Sequence, residues 1–305
     1  MRASGERVLS VLGRQSWLDR PSYRLEHALG FALAACGSAG ERTSNLLHGT
    51  WLGHPLHPLV VGLPTGAVAT TVVLDVAAVL PGQQAGLRDA SRVSLGVGIL
   101  ASLAAATTGL NDWQHTQEES RRVGLVHGAL NAVATALYVL SWCDRRRGRH
   151  VRGVAASAVG YGITTASGYL GANLVYRLGI GVDQSGARWD TGEWTPLLAE
   201  AVLEAGTPQR VEAAGVGLVL LRDGNDVLAF GELCPHLGAP MVDGWMDRAQ
   251  LVCPWHGSRF DPTTGQVVRG PATAPLPCYQ TRIRAGIIEV HPGSRAFRAS
   301  TGAGA

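Results

Sequence analysis

Four long stretches of apolar sequence limit what this 305-residue chain can fold into. They cover residues 59–80, 93–110, 123–142 and 154–175, and the only charged residue in any of them is Asp75. These stretches are 18 to 22 residues long, and about 20 helical residues cross the hydrocarbon core of a bilayer. A soluble bundle would need a charged face on each helix. The pattern therefore predicts four transmembrane helices.

The sequence changes character after residue 181. Short apolar segments separated by charged turns appear at 216–222, 227–233, 279–284 and 286–290, without a long helical pattern. Many short strands with turn signals are typical of a small all-β domain. The predicted fold class is therefore membrane α plus all-β, a four-transmembrane-helix bundle followed by a soluble antiparallel β domain.

Three parts follow from these patterns. Residues 1–50 form an N-terminal segment, in which residues 25–37 predict one amphipathic helix. Residues 51–181 form the helical membrane domain, and residues 182–305 form the β domain with a short C-terminal tail. The first residues lack the apolar run of a secretory signal, so we expect the N-terminus to be retained.

Composition excludes several functional classes. The net charge is only +3 and every basic residue is Arg, which gives no support for a nucleic-acid partner. The five cysteines are too scattered to predict a disulfide framework. The chain has neither the GxGxxG motif of dinucleotide sites nor a Walker loop, so no nucleotide cofactor is expected.

Two Cys/His pairs predict a metal centre in the β domain. Cys234 and His236 are separated by one residue, and Cys253 and His256 by two. Two sulfur and two nitrogen ligands suit either tetrahedral zinc or a two-iron cluster with His on one iron, and the spacing leaves both open. Each pair lies in a Gly/Pro-rich loop rather than on the C-x-x-C knuckle of a zinc site, which favours the cluster.

These loops, followed by the Pro-rich segment 271–277, resemble the Rieske [2Fe–2S] family over about residues 192–291. The resemblance implies that Cys234 and Cys253 bind one iron and that His236 and His256 bind the other. It also implies that the cluster is easier to reduce than one with four Cys ligands, because neutral imidazoles replace two thiolates.

Three loop positions distinguish this chain from the Rieske proteins of quinol-oxidising complexes. Those proteins have a disulfide between the loops, where this chain has Ala239 and Trp255. The Ser that donates to the cluster is present as Ser258, but Phe260 replaces the donating Tyr. Because fewer hydrogen bonds stabilise the reduced state, we expect a lower potential and a similarity to the Rieske ferredoxins that pass electrons to oxygenases.

The helical part has its own family resemblance. The segment 48–64 with its HPLHP motif, followed by GLNDW at 109–113, HGALN at 127–131 and the Gly-rich segment 168–182, resembles an uncharacterised family of four-helix bacterial membrane domains. The resemblance covers about residues 45–182. It implies a fold and no mechanism.

Five histidines are expected at one membrane face, since four antiparallel spans place their alternate ends together: His48, His54, His57, His115 and His127. We expect His57 to cap the first span. We predict a second cofactor site formed by His57, His115 and His127, which would bind haem b or a quinone. Plain packing of these rings at the membrane surface is the alternative.

Charged residues in and beside the spans predict the partner of Asp75 and the membrane side on which the β domain lies. Asp75 is costly inside a membrane, so we expect a partner such as Arg88 or Arg92. Loops 81–92 and 143–153 hold seven Arg, which by the positive-inside rule places the β domain outside. The missing loop disulfide and export signal favour the cytoplasmic side, which we adopt.

The predicted function is that of an electron-transfer protein anchored in the inner or plasma membrane by several spans. A Rieske [2Fe–2S] cluster would pass single electrons to or from a redox partner protein, which would be an oxygenase, a reductase or a respiratory component. We therefore expect a component of an oxidoreductase system rather than a stand-alone enzyme. One alternative is a small quinol oxidoreductase with a quinol or haem site in the bundle. Another is a redox-sensing membrane module. The sequence does not define the oligomeric state.

Overall fold

A computed structural model describes residues 4–292, except residues 81, 83, 187, 188, 190 and 191. The described chain divides into two compact units. The helical unit comprises residues up to Leu47 and Pro55–Ile180. The β unit comprises His48–His54 and the chain from Gly181 onward. The C-terminal tail, predicted as part of the β domain, lies outside the described residues from position 293.

Seven α-helices precede the first strand in the described part of the chain. Three are N-terminal and four are long, with these bounds: α1 Ser4–Gly13, α2 Asp19–Ala35, α3 Gly37–His48, α4 His57–Ala77, α5 Gln84–Trp113, α6 Glu118–Arg146 and α7 His150–Tyr176. Each of the four long helices contains most of one predicted apolar stretch. The helices α5, α6 and α7 also extend beyond their apolar stretches into charged residues. Regular hydrogen bonding therefore continues where the apolar sequence ends.

The number of membrane-capable helices differs from the predicted four. Three helices, α4, α5 and α6, are long and apolar enough to cross a membrane by length and composition. The helix α7 is not among them, because Gly, Ser and Thr residues dilute its apolar sequence. The prediction of a helical membrane region followed by an antiparallel β domain is confirmed.

The N-terminal segment forms three helices instead of the single helix predicted at 25–37. The helix α2 begins at Asp19, and the chain bends at Gly37, whose φ of +53° lies in the left-handed region that favours glycine. Two ion pairs fasten α2 to the start of α6. Arg121 donates to Glu26 at 2.5 Å, and Arg122 holds both carboxylate oxygens of Asp19 at 2.7 and 2.8 Å.

The long helices pack as two antiparallel pairs, α4 with α5 and α6 with α7. In the first pair, a Cβ at Gly98 would lie 3.0 Å from the side chain of Val68. In the second pair, a Cβ at Gly160 would lie 2.6 Å from the ring of Tyr138. Small residues thus let the backbones approach closely, as in helix packing within membranes.

A buried ion pair joins the four long helices. Arg145 of α6 holds both carboxylate oxygens of Asp75 of α4, at 2.7 and 2.6 Å, and the two side chains are only 2% and 5% exposed. Its remaining N–H groups donate to the hydroxyls of Ser91 on α5, Ser141 on α6 and Ser157 on α7. All five donors of the guanidinium therefore have a partner, which a buried charge requires.

The expected partner of Asp75 was therefore wrong. Arg92 forms an exposed pair with Asp89 one turn away, at 3.1 Å. Arg145 lies beyond the third predicted span in sequence, and packing of α4 against the α6–α7 pair brings it to Asp75.

The β unit contains two antiparallel sheets. Its strands have these bounds: β1 Thr195–Ala199, β2 Gln209–Ala213, β3 Val216–Asp223, β4 Asp226–Gly231, β5 Trp245–Asp247, β6 Gln250–Val252, β7 Arg259–Phe260, β8 Val267–Arg269, β9 Cys278–Arg284 and β10 Ile287–His291. The larger sheet has the order β1-β10-β9-β4-β3-β2, and the smaller has the order β5-β6-β7-β8.

The central strand β3 separates two hydrophobic cores. Val219 and Leu221 point into a core shared with Phe260 of the smaller sheet. Leu218 and Leu220 point into a second core on the opposite face. Burial on both faces explains why this strand reads as a nearly continuous apolar run. The first core also contains Cys234 and Cys253, so the predicted metal ligands lie at its edge.

Candidate metal centre

The first cluster loop, residues 234–239, is a tight turn held by its own backbone. The N–H of Cys234 donates to the carbonyl of Ala239, and the N–H of Gly238 donates to the carbonyl of Cys234, both at 2.9 Å. Gly238 has a φ of +71°, which L side chains rarely adopt. The turn therefore requires glycine four residues after the cysteine.

The second cluster loop, residues 253–258, repeats this geometry. The N–H of Cys253 donates to the carbonyl of Ser258 at 2.9 Å, and the N–H of Gly257 donates to the carbonyl of Cys253 at 3.2 Å. Gly257 has a φ of +68°. Both loops thus present a cysteine, a proline and a histidine from the same backbone frame, although the histidine stands one position later in the second loop.

Backbone N–H groups surround both sulfurs. Those of His236 and Leu237 point at the sulfur of Cys234. The backbone N–H groups of Trp255 and His256 point at the sulfur of Cys253. Such donors stabilise thiolate, which is the form that binds metal.

The two cysteine side chains also interact directly. The two sulfurs lie within hydrogen-bonding reach of each other. A hydrogen bond between them, aided by the loop N–H groups and opposed by burial, lowers the pKa of Cys253 to about 7. The same hydrogen bond and burial raise the pKa of Cys234. The two sulfurs are therefore close enough to bind one metal ion.

The two imidazoles converge on one point. The Nδ1 atoms of His236 and His256 are 3.2 Å apart, and the rings are nearly perpendicular with centroids 5.0 Å apart. Two nitrogens at about 2.0–2.1 Å from one tetrahedral metal would be separated by about 3.3 Å. The observed separation therefore fits two imidazoles that share one iron.

Burial keeps His236 neutral. Desolvation, followed by the charges of His256 and His48, lowers the pKa of His236 to about 3. A neutral ring has a lone pair available for a metal.

Two residues beside the cluster loops, Ser258 and Phe260, affect the predicted reduction potential of the cluster. The buried hydroxyl of Ser258 accepts the N–H of Ala272 at 2.9 Å, which leaves its own hydrogen free to donate to a cluster sulfur. Phe260 is fully buried in the core that holds both cysteines, and it has no hydroxyl to donate. All five cysteines are free thiols, including the two in the loops. The expectation of a low potential stays a prediction.

Sequence reasoning missed the place of His48. This residue belongs to the β unit, is only 2% exposed, and lies against Gly270, where a Cβ would be 3.0 Å from its Cδ2. The sequence showed only another histidine near a predicted span, and no motif linked it to the Pro-rich segment.

The histidines of the predicted second site lie on different elements. His57 is the first residue of α4 rather than its cap, which is Leu56, and its ring bonds to α5. His127 lies inside α6 and bonds to α7. His115 lies in the turn after α5, where its N–H donates to the carbonyl of Asp112 at 3.3 Å.

Two matched loops that bring two sulfurs and two imidazoles together at the edge of an antiparallel β core define a Rieske-type iron–sulfur domain. The Rieske [2Fe-2S] domain family model matches residues 193–280. The chain belongs to the Rieske [2Fe–2S] family, and the expected cluster cofactor is confirmed by this membership. Residues 53–184 match a second family, described as a predicted membrane protein family, DUF2231.

Known relatives match the β domain. Ferredoxin CarAc of Metapseudomonas resinovorans is 30% identical over 98 residues, which are 32% of this chain and 92% of the ferredoxin. Human apoptosis-inducing factor 3 is 33% identical over 96 residues, and the matched part is 32% of this chain and only 16% of that relative. The ferredoxin of carbazole 1,9a-dioxygenase from Nocardioides aromaticivorans IC177 is 27% identical, with 33% of this chain and 99% of that one covered and a TM-score of 0.32.

Proposed function

We propose that this chain is a membrane-anchored one-electron carrier in which Cys234 and Cys253 hold one iron of the cluster and His236 and His256 hold the other. The observation that carries the proposal is the 3.2 Å separation of the two imidazole Nδ1 atoms, beside two cysteines on loops of equal backbone geometry. A bound [2Fe–2S] cluster takes up and returns one electron.

The surrounding residues have separate roles. Backbone N–H groups hold the thiolate ligands, and the buried ring of Phe260 excludes water behind them. His236 and His256 are less buried than the two cysteine ligands, so they are the route by which an electron leaves the domain. Trp255, half exposed and edge-on to His256, offers a partner protein an aromatic contact beside this route.

The partner we infer is an oxygenase or a reductase. One of the relatives named above is Ferredoxin CarAc, which the β domain matches over 92% of its length. Ala239 and Trp255, which stand at the positions of the disulfide cysteines, and the buried Phe260 agree with a ferredoxin-like potential below that of the disulfide-bearing Rieske proteins. The helical unit would keep the carrier at the inner or plasma membrane.

We infer that the β unit faces the cytoplasm. The three cysteines outside the cluster loops form no disulfide, which suits a reducing compartment. The number of Arg residues in the loops favours the opposite side by the positive-inside rule. This argument is weaker than the count suggests, because Arg145 is buried against Asp75 and contributes no free charge to its loop. Fluorescent and phosphatase reporters fused after Pro292 test this, since only the fluorescent fusion should be active. An active phosphatase fusion would place the β unit outside.

The function is tested by iron, acid-labile sulfide and EPR measurements on the full chain in detergent. We expect two irons and two sulfides per chain, as a [2Fe–2S] cluster requires, and a Rieske-type signal on reduction. Cys253→Ser should remove the signal. Cys278→Ser is the matched control, because Cys278 is a buried free thiol of the same core outside the cluster loops. Zinc without iron, or equal signals from the two variants, would refute the assignment.

A further inference from the structure

His57 is held in a fixed orientation by the neighbouring helix. Its Nδ1 lies 3.0 Å from the carbonyl oxygen of Ala105 and 3.1 Å from the hydroxyl of Thr108. The ring lies against Gly109, where a Cβ would be 2.8 Å from its Cε1. Because a carbonyl can only accept, Nδ1 carries the hydrogen. The neutral ring therefore has its lone pair on Nε2.

His127 is held in the same way by α7. Its Nδ1 lies 2.8 Å from the carbonyl oxygen of Ser167, and a Cβ at Gly171 would be 2.9 Å from its Cε1. The amide nitrogen of Asn131 lies 3.2 Å from its Nε2 and donates to it. This donor shows that the lone pair of His127 is also on Nε2.

These contacts belong to an internal repeat. In each hairpin the ring bonds to a carbonyl four residues before the glycine that it touches, namely Ala105 before Gly109 and Ser167 before Gly171. The first hairpin consists of α4 and α5, and the second of α6 and α7. When the two hairpins are aligned on the histidines, carbonyls and glycines named here, the helix contacts described above are aligned as well. The Gly98–Val68 contact of the first hairpin then corresponds to the Gly160–Tyr138 contact of the second.

Matched positions of the repeat meet inside the helical unit. The same alignment pairs Asp75 with Arg145, and these two side chains are bonded to each other at one end of the unit. His57 and His127 form the corresponding pair toward the other ends of their helix pairs, and the two imidazoles are close enough to influence each other electrostatically. The repeat therefore brings two imidazoles toward a shared interior, each with its lone pair on Nε2, and that of His127 accepts from Asn131.

We propose that His57 and His127 are the axial ligands of a b-type haem bound between the α4–α5 and α6–α7 hairpins. Nδ1–H donation to a carbonyl fixes the ring and increases the basicity of the metal-binding nitrogen. Bundles of four helices build haem sites from side chains on facing helices. On haem binding, the iron replaces the amide of Asn131 as the partner of Nε2.

The ligand set favours haem over a bare cation. A protein metal site with nitrogen ligands needs three or four of them. The pair of His57 and His127 supplies only two such nitrogens. A porphyrin supplies its own ligands in the plane, so two histidines complete the iron's coordination.

The experiment is haem titration and optical spectroscopy of the full chain in detergent, with haemin as the probe. The reduced protein should show the sharp α band of a low-spin b haem above the broad cluster absorption. His57→Gly and His127→Gly should each lose the low-spin spectrum, and added imidazole should restore it. A retained Rieske EPR signal and unchanged helical circular dichroism show that each variant is folded.

Glycine variants on one helix provide a matched pair. Gly171→Ala displaces the ring of His127 and should weaken haemin binding about tenfold to a hundredfold. Gly168→Ala has nothing within 4 Å of its new methyl group and should leave binding unchanged. Equal affinities in the two variants would overturn the role of His127.

Three further outcomes would overturn the proposal. The first is a chain that shows no low-spin band with haemin added. The second is loss of the band in His115→Ala, because His115 has no counterpart in the repeat. The third is a bound quinone analogue, released by both His57→Gly and His127→Gly, in a protein that binds no haemin. That result would assign the pair to a quinone.

Discussion

The β unit and the helical unit each use a duplicated element to bring two side chains together, but they do so over very different distances in sequence. In the β unit, each cluster loop carries its cysteine and histidine within four residues and holds them by its own hydrogen bonds. In the helical unit, each hairpin supplies one histidine, and a carbonyl on the other helix of the hairpin orients the ring.

This difference determines what holds each arrangement in place. A cluster loop keeps its shape through local turns and a glycine of positive φ, so its geometry depends on a few neighbouring residues. The helical arrangement depends on helix packing and on the buried Asp75–Arg145 pair. We therefore expect substitutions in the helices to affect a whole unit and substitutions in the loops to affect one ligand pair.

The largest effect should come from the buried ion pair. Asp75→Ala leaves the guanidinium of Arg145 buried and uncompensated, which should cost about 3–5 kcal/mol of unfolding free energy. Asp89→Ala, which breaks the exposed pair with Arg92, should cost about 0–1 kcal/mol. Thermal unfolding in detergent measures both. Equal losses would show that burial does not distinguish these pairs and would break the comparison.

The next effect concerns the two cluster loops. Gly238→Ala and Gly257→Ala each place a Cβ in the left-handed region, which costs about 1–2 kcal/mol. Iron content and denaturant midpoints should fall by similar amounts in the two variants, because the loops share one backbone frame. Gly231→Ala is the control, since its new methyl group would meet Pro277 at an ordinary 3.4 Å. Opposite responses of the two loops would show that they are not equivalent.

The smallest effect should be electronic. Phe260→Tyr adds a hydroxyl to a buried ring of the cluster core, and a hydrogen bond of about 0.5–1.5 kcal/mol to the reduced cluster would raise its potential by about 20–65 mV. Redox titration followed by EPR measures the shift. The control Ser258→Ala removes a donor and should lower the potential. No rise in the potential of Phe260→Tyr would mean that the ring does not face the cluster.

The cluster loops could be predicted from the sequence for a physical reason. Ligands that are close in the chain and lie in a Gly/Pro-rich turn are fixed by local geometry, so the pattern of Cys234 with His236 and Cys253 with His256 could be read directly. The family match and the short distance between the two imidazoles agree with that interpretation.

Contacts between distant segments could not be predicted in this way. Arg145 was not identified as the partner of Asp75, because nothing local marks a contact that forms only when α4 meets the α6–α7 pair. The boundary between α2 and α3 was missed because apolar periodicity continues through Gly37, where the chain bends. His48 was placed at a membrane face, whereas it packs in the β unit against Gly270.

The measurement that tests the central claim most directly is pulsed EPR of the reduced full-length protein labelled with ¹⁵N-histidine. We predict couplings from two directly bound imidazole nitrogens, with loss of one in His236→Cys and of one in His256→Cys, and no change in His48→Ala. A reduced cluster with no coupling from a bound histidine nitrogen, or with couplings that survive in both cysteine variants, would contradict the assignment of His236 and His256 as the ligands of one iron.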